Sequence, residues 1–438
     1  MFLSESDLEV LARLAQAQAD APPAGGVDVH RLELHIAVGA DGRRYLVRGP
    51  QPAHAVLHPA NHSAQVAPAN LSAQVANRGA RVDPARWRGS LLGGAIGDAL
   101  GAPVENKPMD QVRALAGPHG VTDLITSADG LGRITDDTQM TLFTAEGLIR
   151  AHAQHRRRGH ADVTHSLQMA YQRWLHTQGT PWARARGPHN TRDSPDGRLI
   201  GVRGLFKRRA PGATCFLTLQ HYGVTGRGGS TSQPPNDSKG CGGVMRAAPA
   251  ALWSDDPETV FDVAVTAAAI THGHPSGHLP AGVLAVLVHG LIRGHDLPTA
   301  LATARAHLSR RAGHEETTAA LDAAQALTGP PTPERTATLG TGAVGESALA
   351  IALYATLTTD SPDAALLASV NHDGDSDSTG AVCGNIVGAL YGETALNPTW
   401  LDRLELRDVV TETADDMLAE FGPTPPTTPD WTTRYPDE

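Results

Sequence analysis

The stretch RGSLLGGAIGDALGAPVE, beginning at Arg88, sets Gly93, Gly97 and Gly101 four residues apart among otherwise good helix formers. A glycine costs about 1 kcal/mol relative to alanine in a helix, so a row of them needs a compensating reason. Spacing by four puts the three on one helix face that is bare of side chains, against which another backbone can pack closely. The same spacing returns at Gly380, Gly384 and Gly388. From Trp87 onward the chain is a series of Ala-rich segments of helical period broken by Gly/Pro loops, with almost no alternating strand pattern. In DPETVFDVAVTAAAITH, Asp256 suits a cap, Pro257 the first helical position and Glu258 the first turn, with Val260, Val263 and Ala267 following at helical spacing.

The first 80 residues differ in texture. SESDLEVLARLAQAQAD, from Ser4, predicts one short helix, and VHRLELHIAVGADGRRYLVRG alternates on both sides of Asp41-Gly42, a hairpin signal. Residues 1–49 thus form a small α+β appendage. Residues 50–82 are Ala- and Pro-rich, with NHSAQVA at Asn61 repeated as NLSAQVA at Asn70, too few copies for a solenoid and best taken as a linker. Residues 83–425 are expected to form the helical domain and 426–438 a tail. Between Thr180 and Lys239 lies a long polar stretch carrying Arg184, Arg186, Arg192, Arg198, Arg203, Lys207, Arg208 and Arg209, expected as a solvated, charge-rich loop.

Several function classes drop out on composition. A formal net charge of −10 argues against a general nucleic-acid or anionic-membrane binder, which needs a basic face. The longest apolar run, VLAVLV from Val283, is far shorter than the ~18 residues of a membrane span. The start, MFLSESDLEV, lacks a basic region followed by an apolar one, and Cys215, Cys241 and Cys383 form no CxxC pair. A reducing cytoplasm is the expected setting.

The chemistry sits in short acidic and glycine-rich motifs. NHDGDSDSTG crowds Asp373, Asp375 and Asp377 into five positions, where like charges raise one another's pKa unless a cation or a donor compensates. An EF-hand loop also begins D-x-D-x-D, but its required Gly and final Glu positions hold Ser378 and Gly384. RITDDTQM places Thr135, Asp136 and Asp137 at another helix start: Thr135 is a natural N-cap and acids suit the helix dipole, yet paired carboxylates beside Thr135 and Thr138 are also how hard cations are held. Two such clusters, if they converge, could hold two divalent ions. Asp98 lies within the first glycine-rich helix, and Pro103 ends it, leaving Glu105 in the turn beyond. NDSKGCGGVMRAAP offers Gly240, Gly242 and Gly243, whose backbone N–H groups could face a phosphate. THGHP supplies His272 and His274; Pro275 breaks the geometry of an H-x-H zinc pair, so His272 reads as a hydrogen-bonding pocket residue.

In order, GDALGAPVE, TDDTQM, GCGGVMRAAP, THGHP and GDSDSTGAVCGNIVGALYG resemble the ADP-ribosylglycohydrolase family over roughly residues 85 to 420. The resemblance implies an all-α, compact multi-helix domain that binds two Mg²⁺ ions, with Mn²⁺ as a substitute. It implies Thr135, Asp136, Asp137, Asp375, Asp377 and Ser378 as metal ligands and Glu105, Asp136 and Asp375 as catalytic residues. Asp98, the loop of Gly240, Cys241, Gly242, Gly243 and Val244, and His272 would bind substrate, the loop taking the diphosphate and His272 the ribose. Ser376 and Ser378 stand where many members carry Thr, and Cys241 where Asn is frequent. The implied activity is hydrolytic removal of ADP-ribose from a modified protein side chain, arginine first, with an ADP-ribosylated protein or ADP-ribose as partner. Two alternatives stand beside it: an immunity-type protein that neutralises an ADP-ribosyltransferase by binding or reversal, and a two-metal nucleotide phosphohydrolase.

Overall fold

A computed structural model describes residues 34–38, 44–48 and 81–438. The helix expected from Ser4, the Asn61 and Asn70 repeat and the linker up to Ala80 lie outside those residues. The chain divides into two compact units, Met1–Pro68 and Ala69–Glu438. In the first, β1 (Leu34–Val38) pairs antiparallel with β2 (Arg44–Arg48), Leu34 opposite Arg48 and Val38 opposite Arg44, as the alternation flanking Asp41-Gly42 requires.

The second unit is helical. Its longer helices are α1 (Pro84–Gly101), α2 (Met109–Ala116), α3 (Asp136–Arg158), α4 (Val163–Thr177), α5 (Ala213–Thr225), α6 (Pro257–Ala269) and α7 (Pro275–Leu291). After these come α8 (Leu297–Leu308), α9 (Glu315–Ala326), α10 (Gly345–Leu357), α11 (Pro362–Val370), α12 (Ser376–Tyr391) and α13 (Arg407–Glu420). Starts follow the expected rules: Asp83 accepts from Ala85 and Arg86 N–H at α1, Thr135 from Asp137 N–H at α3, and Asp256 from Glu258 and Thr259 N–H at α6. Pro275, expected to disrupt the segment around His272, is the first residue of α7, where its missing N–H costs nothing. The VLAVLV run lies in α7, buried on all sides. Among the described residues no helix is long and apolar enough to cross a membrane.

The two glycine rows meet. A Cβ on Gly93 would overlap the Gly384 carbonyl, one on Gly97 that of Gly380, and one on Gly101 that of Ser376. Backbone therefore lies against backbone along α1 and α12, and Ser90 Oγ and Asn385 Nδ2 exchange bonds with each other's main chain, 2.9 and 2.8 Å long. This contact sets the C-terminal end of α1 beside the N-terminal turn of α12.

The segment from Thr180 to Lys239 is not the single loop expected of it. It contains the 13-residue helix α5 and a short turn at Trp182–Ala185. Cys215 and Leu219 bury against the core while Leu217 and Val224 stay exposed, so the apolar pattern of α5 was weak and its arginine-rich flanks obscured it. Residues 426–438 are likewise packed: a short helix at Pro429–Arg434 buries Trp431, Tyr435 is buried after it, and the Glu438 carboxylate lies 2.7 Å from Arg173 Nη2.

Candidate active site

The site is built where three helix ends converge. Beyond α1 a 3-10 turn at Ala102–Val104 delivers Glu105, since Pro103 cannot donate to the helix ladder. The backbone then runs beside the loop before α12, with Asn106 N–H donating to the Gly374 carbonyl at 2.6 Å. The three crowded acids of that loop divide. Asp373 accepts from Met109 N–H at 2.6 Å and so caps α2. Asp375 caps α12, accepting from Ser378 N–H at 3.4 Å, while its own N–H donates to Thr341 O at 2.8 Å. Asp377 and Ser378 follow in the first turn, buried.

Asp136 and Asp137 face this cluster from the first turn of α3. Both are buried, and Gly212 N–H donates to Asp136 Oδ2 at 3.2 Å. Their charges and those of the other acids act on one another. Burial first, then Asp98, Asp136 and Asp375, push Asp137 well above the usual carboxylate range. Burial, Asp137, Asp375 and Glu105 do the same to Asp377, and burial with Asp98 and Glu105 to Asp136. Glu105 is raised to about 7 by burial and by Asp375 and Asp98. The two clusters, which the sequence keeps 238 to 241 residues apart, are thus one electrostatic unit.

Asp98 has a different place. It is fully buried, and its oxygens accept from Thr135 N–H at 3.0 Å, from Thr138 N–H at 3.1 Å and from the Thr138 hydroxyl. Burial still raises it to about 6 against those bonds. The carboxylate is spent on fixing the start of α3, which is how it serves the site. Thr138, noted in the sequence only as a flank of the acids, is its clamp.

The glycine loop closes the other side. Gly240 N–H donates to Ser238 Oγ at 3.2 Å, Cys241 N–H to Ala343 O at 3.2 Å, and Val244 N–H to Cys241 O at 3.0 Å. Val244 is a fully buried core residue, and the Gly243 backbone is buried too, which leaves the partly exposed Gly240 and Gly242 as the open part of the loop. The Cys241 thiol donates to Asp375 Oδ2 at 3.1 Å, which ties the loop to the acids. His272 is buried beneath it, and burial with the neighbouring Arg246 guanidinium pushes its pKa down to about 3. Gly212 and Thr341 contact the acids through backbone atoms alone, and no sequence signal marks them. Arg246 lies inside a motif the sequence already displayed.

The donor set fits a divalent cation. Asp137 Oδ2 is buried with no hydrogen-bond donor, the Thr135 hydroxyl donates to Asp137 Oδ1 at 3.4 Å, the Ser378 side chain lies close enough to Asp137 to favour its charged form, and an all-oxygen set suits a hard ion. Among the described residues no three His, Cys, Asp or Glu side chains are already drawn into a closed ligating shell.

A family model described as ADP-ribosylglycohydrolase matches residues 80–426. The chain is 26% identical over 342 residues to an ADP-ribosyl-[dinitrogen reductase] glycohydrolase of Rhodospirillum rubrum, covering 76% of this chain and 96% of that one. It is 24% identical over 341 residues to an ADP-ribosylarginine hydrolase, Tri1, of Serratia proteamaculans (strain 568), covering 76% and 78%. A solved structure titled ADP-ribosylglycohydrolase-related protein complex superposes with a TM-score of 0.53 at 26% identity, over 77% of this chain and 99% of that one. With the match spanning the helical unit and every motif that builds the acid cluster, the chain belongs to the ADP-ribosylglycohydrolase family, whose members hydrolyse the glycosidic bond to ADP-ribose.

Proposed function

We propose that the protein is a Mg²⁺-dependent hydrolase that removes ADP-ribose from an arginine side chain of a modified protein. The observation that carries this reading is the charge coupling of Asp136, Asp137, Asp375 and Asp377 at two helix starts, three of them buried and one oxygen, Asp137 Oδ2, without a donor. Thr135, Asp136, Asp137, Asp375, Asp377 and Ser378 are the residues that would hold the ions, two Mg²⁺ or Mn²⁺ in their place. Bound there, the ions supply Lewis-acid charge that orients ribose hydroxyls and offsets the clustered carboxylates. The names of two relatives, one acting on ADP-ribosylated dinitrogen reductase and one on ADP-ribosylarginine, support an arginine-linked protein substrate.

The chemical step is an attack of water on the anomeric carbon of the ribose: the C–O bond forms, the C–N bond to the guanidine breaks, and one proton passes from water to a carboxylate. Glu105 is our choice for that carboxylate. It sits at the edge of the acid cluster, half exposed, with a pKa near neutrality, where a general base works best. The leaving guanidine takes up the proton that restores its charge. Reversal of an ADP-ribosyltransferase's product is the role this site supports. The three free, buried thiols support a reducing, cytoplasmic location.

The test is incubation with arginine-linked and serine-linked ADP-ribosylated proteins, with Mg²⁺ or with EDTA. Mg²⁺-dependent release of free ADP-ribose from the arginine-linked substrate is expected. Release of AMP or phosphate would instead make the protein a nucleotide phosphohydrolase, and full activity in EDTA would remove the metal from the scheme.

A further inference from the structure

Arg246 is fully buried and, among the described residues, no carboxylate pairs with it. Its Nη1 reaches only sulfur, Met140 Sδ at 3.4 Å and Cys215 Sγ at 3.3 Å, and the guanidinium lies over the Tyr171 ring, 4.3 Å from its centroid. Burying a charge without a counter-ion is costly, and a desolvated cation–π contact returns only part of that cost. Nε is buried with no partner, so what the residue does with Nη2 is informative. Nη2 donates to Ala267 O at 3.1 Å and to Thr271 Oγ1 at 2.7 Å.

A guanidinium has no acceptor, so at that contact Thr271 Oγ1 accepts and its own hydrogen is free to point elsewhere. Two acceptors are in range: His272 Nδ1 at 2.8 Å and Ala268 O at 3.4 Å. The shorter contact takes the hydrogen. His272 Nδ1 is then an acceptor, and a neutral imidazole with a bare Nδ1 carries its proton on Nε2. Nε2 is the ring edge under the glycine loop: a Cβ on Gly240 would stand 3.2 Å from it and one on Gly242 3.1 Å. The ring is held from behind as well, since His278 Nδ1–H donates to the His272 carbonyl at 3.2 Å and His272 N–H to Ala268 O at 3.0 Å.

We propose that Arg246 is a positioning residue that acts through the Thr271 hydroxyl to fix His272 as the Nε2–H tautomer, so that His272 presents a hydrogen-bond donor to an oxygen of the ADP-ribosyl group at the Gly240–Gly242 loop. The inference rests on the reading of that loop as part of the ADP-ribose site. A hydroxyl oxygen has two lone pairs, so the Arg246 bond acts by orienting the Thr271 hydroxyl with its hydrogen toward His272 Nδ1; without that donor the hydroxyl can turn to donate to Ala268 O and accept from Nδ1–H. The tautomer then inverts, and a lone pair replaces the N–H facing the ligand. The proximity of Arg246 also explains why the ring stays neutral, since a second cation there is repelled.

Two readouts test it. In the ligand-free protein labelled with ¹⁵N-histidine and assigned with His272→Asn, long-range ¹⁵N–¹H spectra should show His272 protonated on Nε2. Thr271→Val keeps shape and removes the relay; it should lose that tautomer preference and bind ADP-ribose about three- to tenfold more weakly, the worth of one neutral hydrogen bond, with Thr271→Ser restoring both. A purely structural role would not give rescue by serine together with a tautomer change. Wild-type His272 protonated on Nδ1 overturns the proposal without any variant, and so does Thr271→Val with unchanged tautomer and affinity. A wild-type protein that fails to bind ADP-ribose would overturn the reading of the loop, while the spectrum of His272 still decides the relay.

Discussion

Gly97 of α1 and Gly380 of α12 meet main chain to main chain, so that a Cβ on either would overlap the other's carbonyl. The contact continues at Gly89 with Gly388 and at Gly93 with Gly384, and it ends at Gly101 against Ser376, one residue from Asp375. Two helices touching this closely set the end of α1, and Glu105 beyond it, nearer to the acid turn of α12 than a pair of ordinary helices, about 8–10 Å apart at their axes, would allow. The stability of the fold and the geometry of the site therefore share one contact.

Gly97→Ala and Gly380→Ala should each destabilise the protein by about 2 kcal/mol or more, because the overlap is with rigid backbone and exceeds the ~1 kcal/mol that alanine gains in a helix. Urea denaturation measures the loss. Gly201→Ala, where nothing lies within 4 Å of the added Cβ, should stay within about 0.5 kcal/mol of the parent. Equal stability of all three variants would refute backbone contact between α1 and α12.

Asp137→Asn should separate stability from function. In metal-free buffer it removes one of several buried charges that repel each other, so the variant should melt at or above the parent's temperature. The same variant should lose most of the thermal stabilisation that Mg²⁺ gives the parent, and with it hydrolysis. Calorimetric melts with Mg²⁺ and with EDTA provide the check, and an undiminished Mg²⁺ response would take Asp137 out of the metal site.

Glu105→Gln keeps the shape of the side chain and removes its charge, so turnover should fall by about 10² to 10⁴ while ADP-ribose still binds. The working form of a base is deprotonated. With Glu105 at about 7, kcat/KM should decline as pH falls below neutrality, and bound cations shift the break to lower pH by favouring the carboxylate. The break should be missing from the variant's residual activity. Turnover equal to the parent's would reassign the base.

His289 should make the protein acid-sensitive. It is buried, and Nδ1 lies 3.1 Å from Ala251 O, an atom that only accepts, so Nδ1 carries the hydrogen. Burial and nearby Arg293 lower its pKa to about 4, below the unfolded value of about 6.5. The unfolded chain then binds a proton that the native state refuses, so the stability is whole above 6.5 and is lost as pH falls towards 4. The slope should be about 1.4 kcal/mol per pH unit from this group. Denaturation midpoints across that range should flatten by this amount in His289→Gln; an unaltered slope would show that His289 is not the sensor.

A chain starting at Arg81 should fold and hydrolyse a small ADP-ribosylated substrate at close to the full rate. It retains the Asp83 cap of α1 and the bond from Asp83 N–H to Ile292 O, and every acid of the site lies beyond it. Loss of affinity for a partner or target protein alone, with the rate kept, is the outcome expected if residues 1–80 serve recognition. Insolubility or a much lower melting temperature would instead make the segment a structural cover, and a stable but inactive protein would place part of the site within it.

Much of this was open to inspection in the residues themselves. The caps at Thr135 and Asp256 could be anticipated because capping depends on neighbours two or three positions away. Glycines four apart identified two smooth helix faces for the same reason. The α5 helix was hidden because only Cys215 and Leu219 of its face are buried, and a faint period between arginine-rich flanks reads as loop.

Sequence alone determined the helical class, the two acid-and-hydroxyl motifs and the family. Tertiary structure decided which carboxylates keep their oxygens for the site. Asp98 and Asp373 are spent on the starts of α3 and α2, whereas Asp137 retains an oxygen without a donor. It also decided that α1 and α12 are partners and that a buried arginine reaches His272 through a threonine hydroxyl. The reason is range: capping and helical period act over a few residues, while burial, charge coupling and hydrogen-bond direction depend on atoms brought together from hundreds of residues apart, which only the packed fold specifies.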